Sequence, residues 1–155
     1  GDGCMYDVLD IARFVINYCN DREYDISNLR LQKLLYFIQA YYLGLKNKMP
    51  VFKEDFEAWD FGPVIPCVYQ EYKAFGGSNI PKINRFFKGV KLVKYDNNII
   101  SKADKNNIAH VIDLFRNVST SKLVSITHGQ EPWINAYNSF DKTIYKEDIK
   151  KYFSA

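Results

Sequence analysis

The sequence has few of the residues on which most catalytic and metal sites depend. Its 155 residues include two histidines, His110 and His128, and three cysteines, Cys4, Cys19 and Cys67. Neither set has the spacing of a metal-ligand motif or of a disulfide framework. No glycine-rich loop carries the lysine of a phosphate-binding motif. We therefore predict no metal and no cofactor, and the odd cysteine count favours a reducing compartment.

Long apolar runs and a strong charge of one sign are also missing. No run approaches the roughly 20 apolar residues of a membrane-spanning helix, and no signal peptide is recognisable. The net charge of +3 is too small to indicate nucleic-acid binding by itself. We predict a cytoplasmic protein without a membrane partner, and nucleic acid is not expected as a partner. Residues 1–4 are interpreted as a remnant of recombinant expression, and residues 5–155 as one domain that begins at Met5.

Apolar residues recur with a helical period along most of the chain. The pattern predicts a first helix from Val8 to Cys19 with Asp7 as its cap. A long, central helix should follow, capped by Ser27 and ended by Gly44. Later patterns predict a helix over 64–75 and a helix that follows a capping box of Ser101 with Asp104 and reaches Phe115. A short helix should come next, capped by Ser119 or Ser121 and ended by Gly129. Two more helices are predicted over 132–137 and 146–153.

Two segments interrupt the helical pattern. Residues 56–61 alternate in the manner of a short strand, Gly62 and Pro63 break it, and Pro66 suits the first turn of a helix. Strand, turn and helix are therefore predicted in succession. Residues 80–100 predict one hairpin, or a loop with a short strand. The fold class is mainly α with a minor β element, a compact multi-helix domain.

The second of these segments has a basic bias with interleaved aromatic residues, at Lys82, Arg85, Lys88, Lys91, Lys94, Phe86, Phe87 and Tyr95. Such a pattern suits single-stranded nucleic acid. It equally suits an acidic protein partner or a solvated hairpin. All three interpretations stay open from the sequence.

One pair of residues could support nucleophilic catalysis. Cys67 follows a turn at a helix start, where the helix dipole could lower its pKa, and His128 has Glu131 nearby. We favour a simpler interpretation, in which Cys67 is a small buried hydrophobe and His128 a hydrogen-bonding group at a helix end. No activity as an enzyme is predicted.

Three segments together resemble one family. They read LRLQKLLYFIQAYYLGL, FEAWDFGPVIPCVYQEY and LVSITHGQEPWINAY. In this order they are similar to the Panacea domain, also called the SocA-like or phage-associated protein family. The matching positions are Leu31–Phe37, then Trp59 with Gly62, Pro63 and Val64, and then Thr127 and His128 with Pro132 and Trp133.

The resemblance implies an antitoxin that binds its cognate toxin directly and neutralises it without catalysis. One branch of the family acts as an adaptor that hands the toxin to a host protease. Alternatives are a phage-encoded inhibitor of a host defence protein, a Cys–His hydrolase, or a nucleic-acid-binding regulator. Candidate partner-binding or motif residues are Lys33, Tyr36, Trp59, Asp60, Gly62, Pro63, Val64, His128, Glu131, Pro132 and Trp133. We interpret the region around Trp59, the Gly-Pro turn and Trp133 mainly as a structural joint.

Overall fold

The computed structural model describes residues 5–46 and 48–154, so the interpretation of residues 1–4 concerns a segment outside them. In the described part, helices pack around a small sheet, and a separate two-stranded hairpin is largely exposed. The helices are α1 (Val8–Asp21), α2 (Asn28–Ala40), α3 (Pro66–Tyr72), α4 (Lys102–Leu114), α5 (Thr120–His128), α6 (Glu131–Tyr137) and α7 (Lys146–Phe153). The strands are β1 (Phe56–Trp59), β2 (Gly62–Val64), β3 (Arg85–Lys88), β4 (Lys91–Lys94) and β5 (Thr143–Ile144). The predicted fold class, mainly α with a minor β element, is confirmed.

Helix α2 is the centre of the core, as its broad apolar surface predicts. Every residue from Arg30 to Ala40 is buried, and α1, α4, α5, α7 and β2 all contact it. Its buried polar side chains bond to the backbone of neighbouring loops. The amide of Gln39 donates to the carbonyl of Phe52 (2.8 Å) and accepts from the N–H of Val51 (2.8 Å). A central helix can hold such residues because each buried polar group has a partner.

The prediction that Gly44 ends the central helix is wrong. The helix widens into a π-helical turn over Tyr41–Lys46, so Gly44 lies inside it. A Cβ at Gly44 would stand 2.5 Å from the Cβ of Phe153. Glycine at this position therefore allows the close approach of α7 and has no role as a C-terminal stop.

The predicted order of strand, turn and helix needs one correction. Gly62–Val64 is not only a break, because it forms β2 and pairs antiparallel with β1, with Trp59 opposite Gly62. Pro63 lies opposite Ala58, whose N–H donates away from β2 to Lys142 (2.8 Å). Proline is tolerated because β2 is an edge strand. The third strand of this sheet, β5, was not predicted.

Several predicted helix boundaries are confirmed, and of the two candidate caps for α5 the structure uses Ser119 and not Ser121. The hydroxyls of three serines accept from backbone N–H groups at the starts of α2, α4 and α5: Ser27, Ser101 and Ser119. Asp7 occupies the cap position of α1 but its side chain makes no cap hydrogen bond. Glu54 supplies the acceptor instead, 3.1 Å from the N–H of Val8. None of the described helices is long and apolar enough to cross a bilayer.

Candidate functional site

The three motif segments meet around the side chain of Lys33 in α2. This residue is fully buried, and its Nζ donates to the carbonyl of Pro63 at 2.8 Å. A Cβ on Gly62, which has φ +104°, would stand 2.7 Å from Cε of Lys33 and 2.8 Å from Oγ1 of Thr127. Only glycine fits such a close approach. The second motif is thereby held against the first and the third.

Lys33 is unusual for a core residue because its ionisable amine is fully buried. Burial lowers the pKa of its amine from 10.5 to about 7. None of the ion pairs found within residues 5–46 and 48–154 includes it. Burying an amine without a carboxylate disfavours its charged form. Lys33 therefore cross-links α2 to β2 chiefly through one hydrogen bond.

Tyr36 makes a second buried link, one helical turn further along α2. Its hydroxyl donates to Oε1 of Gln130 at 2.8 Å, just before α6 begins. Its ring packs edge-on against Phe56 and Phe153, with centroids 5.6 and 6.0 Å away. Burial raises the pKa of the phenol. Because its hydroxyl is bonded and its ring is enclosed, Tyr36 serves as a structural group.

The outer part of the motif region clamps the turn between β1 and β2. The indole N–H of Trp133 donates to the carbonyl of Trp59 (2.9 Å), and Nε2 of His128 bonds the carbonyl of Asp60 (2.8 Å). The hydroxyl of Tyr137 donates to Oδ1 of Asp60 (2.6 Å). His128 and Tyr137 both pack against the Trp133 ring, at centroid distances of 4.3 and 4.6 Å. Three hydrogen bonds from α5 and α6 thus fix one tight turn.

The remaining predicted residues occupy different environments. Val64 is buried in β2 and Pro132 is buried in the first turn of α6. Glu131 is exposed at the start of the same helix, where a carboxylate suits the helix dipole. The described residues include no hydrogen bond between Glu131 and His128, although the two are neighbours in sequence. The structure therefore separates Glu131 from the clamp around Trp133.

The Cys–His hypothesis receives no support from the geometry. Cys67 is exposed, so its interpretation as a buried hydrophobe is wrong. Partial burial, and secondarily the charge of Glu54, raise the pKa of its thiol, which opposes activation as a nucleophile. His128 bonds Asp60 instead. In the part of the chain that the structure describes, no three His, Cys, Asp or Glu side chains gather into a metal site.

A groove of about 570 Å³ opens beside the clamped turn. Trp59 and Tyr69 form one wall, with their rings edge-to-face at a centroid distance of 5.1 Å. Phe61, at the tip of the turn, borders the groove and is 66% exposed. Lys73 and Lys142 also line the groove, and the amine of Lys142 donates to the carbonyl of Tyr137 (2.6 Å). The groove is concave and mainly apolar, which is the usual character of a binding pocket.

Sequence reasoning missed most residues of the groove. Tyr69, Lys73, Tyr137 and Lys142 come from three separate segments, and no pattern in the sequence joins them. Phe61 was one available signal of an exposed apolar surface, because an aromatic residue in a two-residue turn has few neighbours to bury it. The sequence pattern places Phe61 only in the predicted strand over residues 56–61.

Comparison with known proteins supplies a family context for this arrangement. The family model described as "Antitoxin SocA-like, Panacea domain" matches residues 31–134. "Antitoxin SocA" of Caulobacter vibrioides (strain NA1000 / CB15N) is 37% identical over 132 residues, which cover 79% of this chain and 68% of that protein. No solved structure matches the chain. The matched residues include all three motifs. The region where these motifs meet around Lys33, which we call the motif corner, therefore lies within the part of the chain that matches the family.

Proposed function

The chain belongs to the SocA-like Panacea-domain family of antitoxins, and from this premise we propose that it neutralises one cognate toxin by direct contact. Membership of the family supports an antitoxin role. We propose further that this contact takes place in the cytoplasm and involves no catalysis. The groove beside the motif corner is the observation that carries the proposal of direct contact.

The groove has the properties of a protein-binding surface. Exposed aromatic side chains in a concave site are typical anchors of protein interfaces. Phe61 and Tyr69 remain 66% and 37% exposed in the isolated chain, so both can lose apolar surface to a partner. The turn that carries Phe61 is fixed by hydrogen bonds to Asp60 and Trp59. A pre-formed site loses less conformational entropy on binding, and we propose that it holds an apolar side chain of the toxin.

This proposal divides the motif residues into two groups. Lys33, Tyr36, Gly62 and Val64 are buried, and their role is to join the segments. Trp59 differs because it is only partly buried and lines the groove. We propose that His128, Pro132 and Trp133 hold the turn in position, while the side chains of Trp59, Asp60 and Phe61 meet the toxin.

Co-expression with the protein encoded beside this chain tests the function. We expect growth to be rescued and the two proteins to co-elute as one species at micromolar concentration. Rescue with separate elution would exclude neutralisation by stable contact. Rescue accompanied by protease-dependent loss of the toxin would favour the adaptor route known in the family.

A matched pair of variants tests the groove. Phe61→Ser removes an aromatic ring that is 66% exposed, and Leu114→Ser removes an aliphatic side chain that is 62% exposed at the end of α4. We expect Phe61→Ser to abolish co-elution, and Leu114→Ser to keep it, with both melting temperatures close to that of the parent. Equal behaviour of the two variants in the binding assay would remove the groove from the proposal.

A further inference from the structure

The β3–β4 hairpin carries its positive charges in an unfavourable arrangement. In the observed register Arg85 lies opposite Lys94, and Lys88 lies opposite Lys91. All four side chains are exposed. Like charges placed directly opposite each other destabilise an antiparallel pair. Both charged pairs of this hairpin are therefore of the destabilising kind.

No carboxylate of the described chain forms an ion pair with these cations. The ion pairs found there use Arg13, Lys53, Lys82 and Lys146 as cations, and none of the four hairpin cations is among them. Within the described residues, the hairpin therefore presents four cations without a direct carboxylate partner. A partner that supplies carboxylates would relieve the repulsion.

The two faces of the hairpin differ in their apolar content. On the inner face Phe86 and Val93 are half-buried, and the guanidinium of Arg13 lies 3.6 Å from the centre of the Phe86 ring. On the outer face Phe87 and Leu92 lie opposite each other and are 68% and 52% exposed. The outer face therefore presents a cross-strand apolar pair with nothing of the described chain covering most of its surface.

Two of the four cations share the outer face with the apolar pair. Side chains two residues apart on a strand point to the same side, so Arg85 accompanies Phe87 and Lys94 accompanies Leu92. The other two cations, Lys88 and Lys91, flank the tip of the hairpin on the side of Phe86 and Val93. At the tip, Val90 is fully exposed between Lys88 and Lys91. An apolar centre with a charged margin is the usual anatomy of a protein–protein interface.

We propose that the outer face and the exposed tip of the β3–β4 hairpin bind an acidic surface of the toxin, with Phe87 and Leu92 covered at the centre of that contact. The proposal rests on the proposed antitoxin function and adds a second contact surface to the groove. A protein partner is favoured over nucleic acid because the exposed apolar side chains of this surface are mainly aliphatic: Phe87 could stack on a base, whereas Leu92 and Val90 offer no aromatic face. The complementary charge also accelerates association, since opposite fields steer two proteins together.

Charge reversal on one strand separates binding from stability. In the double variant Lys91→Glu with Lys94→Glu, a carboxylate faces Lys88 and another faces Arg85. Opposite charges in this register stabilise the hairpin, so the isolated variant should melt at the same temperature as the parent or higher. The control is Lys102→Glu with Lys122→Glu, which changes the net charge equally at exposed positions in the first turns of α4 and α5, where carboxylates are favourable.

The affinity for the co-expressed toxin is then measured for the parent and both variants at low and high salt. We expect the hairpin variant to bind about tenfold more weakly at ~50 mM salt, and the difference to shrink at ~300 mM because salt screens exposed charges. The control should bind like the parent. Phe87→Ser should also weaken binding, and this loss should not depend on salt.

Three results would overturn the inference. The hairpin variant could bind as tightly as the parent, or the control could lose affinity equally, which would indicate only a net-charge effect. Alternatively, the parent could bind a 20-nucleotide single strand of DNA or RNA through the same lysines, with toxin affinity unaffected by their reversal. Failure of the parent itself to bind the toxin would instead refute the proposed function, and the hairpin contact with it.

Discussion

Replacing Lys33 by methionine tests whether the amine at the centre of the motif corner is a stability burden at neutral pH. The folded pKa of about 7, against an ordinary value of 10.5, corresponds to about 5 kcal/mol of differential stabilisation between the two protonation states. Most of that penalty is present at pH 7, because the unfolded chain binds the proton freely. Methionine keeps a similar length and removes the charge.

The opposing effect is the loss of the hydrogen bond to Pro63. A buried carbonyl without a partner costs about 1–3 kcal/mol. The relief of charge burial exceeds this cost at pH 7, so we expect Lys33→Met to be about 1–3 kcal/mol more stable than the parent. Urea unfolding followed by the fluorescence of Trp59 and Trp133 measures the free energy of unfolding for both proteins.

The pH dependence supplies an independent test of the same reasoning. A base whose pKa is lowered on folding binds more protons in the unfolded state, so stability rises with pH between about 7 and 10.5. From pH 7.0 to 8.5 the parent should gain about 1.5 kcal/mol, while Lys33→Met gains none of it. The measurements stop at pH 8.5 because a second group titrates at higher pH. Burial raises the pKa of the Cys19 thiol from 9.0 to about 12. Above pH 9 the thiol of the unfolded chain loses its proton more readily than the buried one, so the free energy of unfolding falls.

A variant control completes the experiment. Lys122→Met removes an exposed lysine from α5 and should leave both the stability and its pH dependence unchanged. The reasoning is refuted if Lys33→Met is strongly destabilised at pH 7.0 and retains the pH dependence of the parent. That outcome would mean that the amine is charged in the core and favourably solvated there.

Other substitutions test the joint and the candidate catalytic thiol. Gly62→Ala should cost several kcal/mol in urea unfolding, since φ is +104° and the new Cβ would meet Lys33 at 2.7 Å. Trp133→Ala should lower the melting temperature clearly, in line with the ~3–5 kcal/mol typical of a truncated core aromatic; a melt like the parent's together with lost toxin binding would assign Trp133 to the interface instead. Trp59→Ala should weaken toxin binding more than it lowers stability, because its ring lines the groove. Cys67→Ala should keep full neutralisation in the growth assay, and a folded but inactive protein would revive the hydrolase hypothesis.

The helices were largely predictable because their signals are local. Periodic apolar residues define α1, α2 and α4, and serine caps mark the starts of three helices within one turn. The basic segment at residues 80–100 contains a hairpin, which is one of the two alternatives that the sequence left open. One error arose because a glycine in a helical pattern can mark either the end of the helix or a close approach of another element. Gly44 was interpreted as a helix stop, whereas α7, more than a hundred residues later in the chain, requires it to be small.

The candidate site was predictable only in part. Three motifs identified the family, and with it the residues that converge on Lys33. The sequence could not separate the roles of these motif residues, because the roles differ by how deeply each side chain is buried. Lys33 and Trp59 belong to equally clear motifs, yet one is enclosed in the core and the other lines a groove.

The sequence by itself determined the helical periods, the caps, the family and the charge of the hairpin, since each depends on residues close together in the chain. Only the tertiary structure decided that GPV forms a strand, that the amine of Lys33 lies buried with no carboxylate partner among the described residues, and that Phe61, Tyr69 and Lys142 border one groove. These features depend on contacts between residues far apart in sequence. Such contacts are set by packing of the whole core, which no local pattern records.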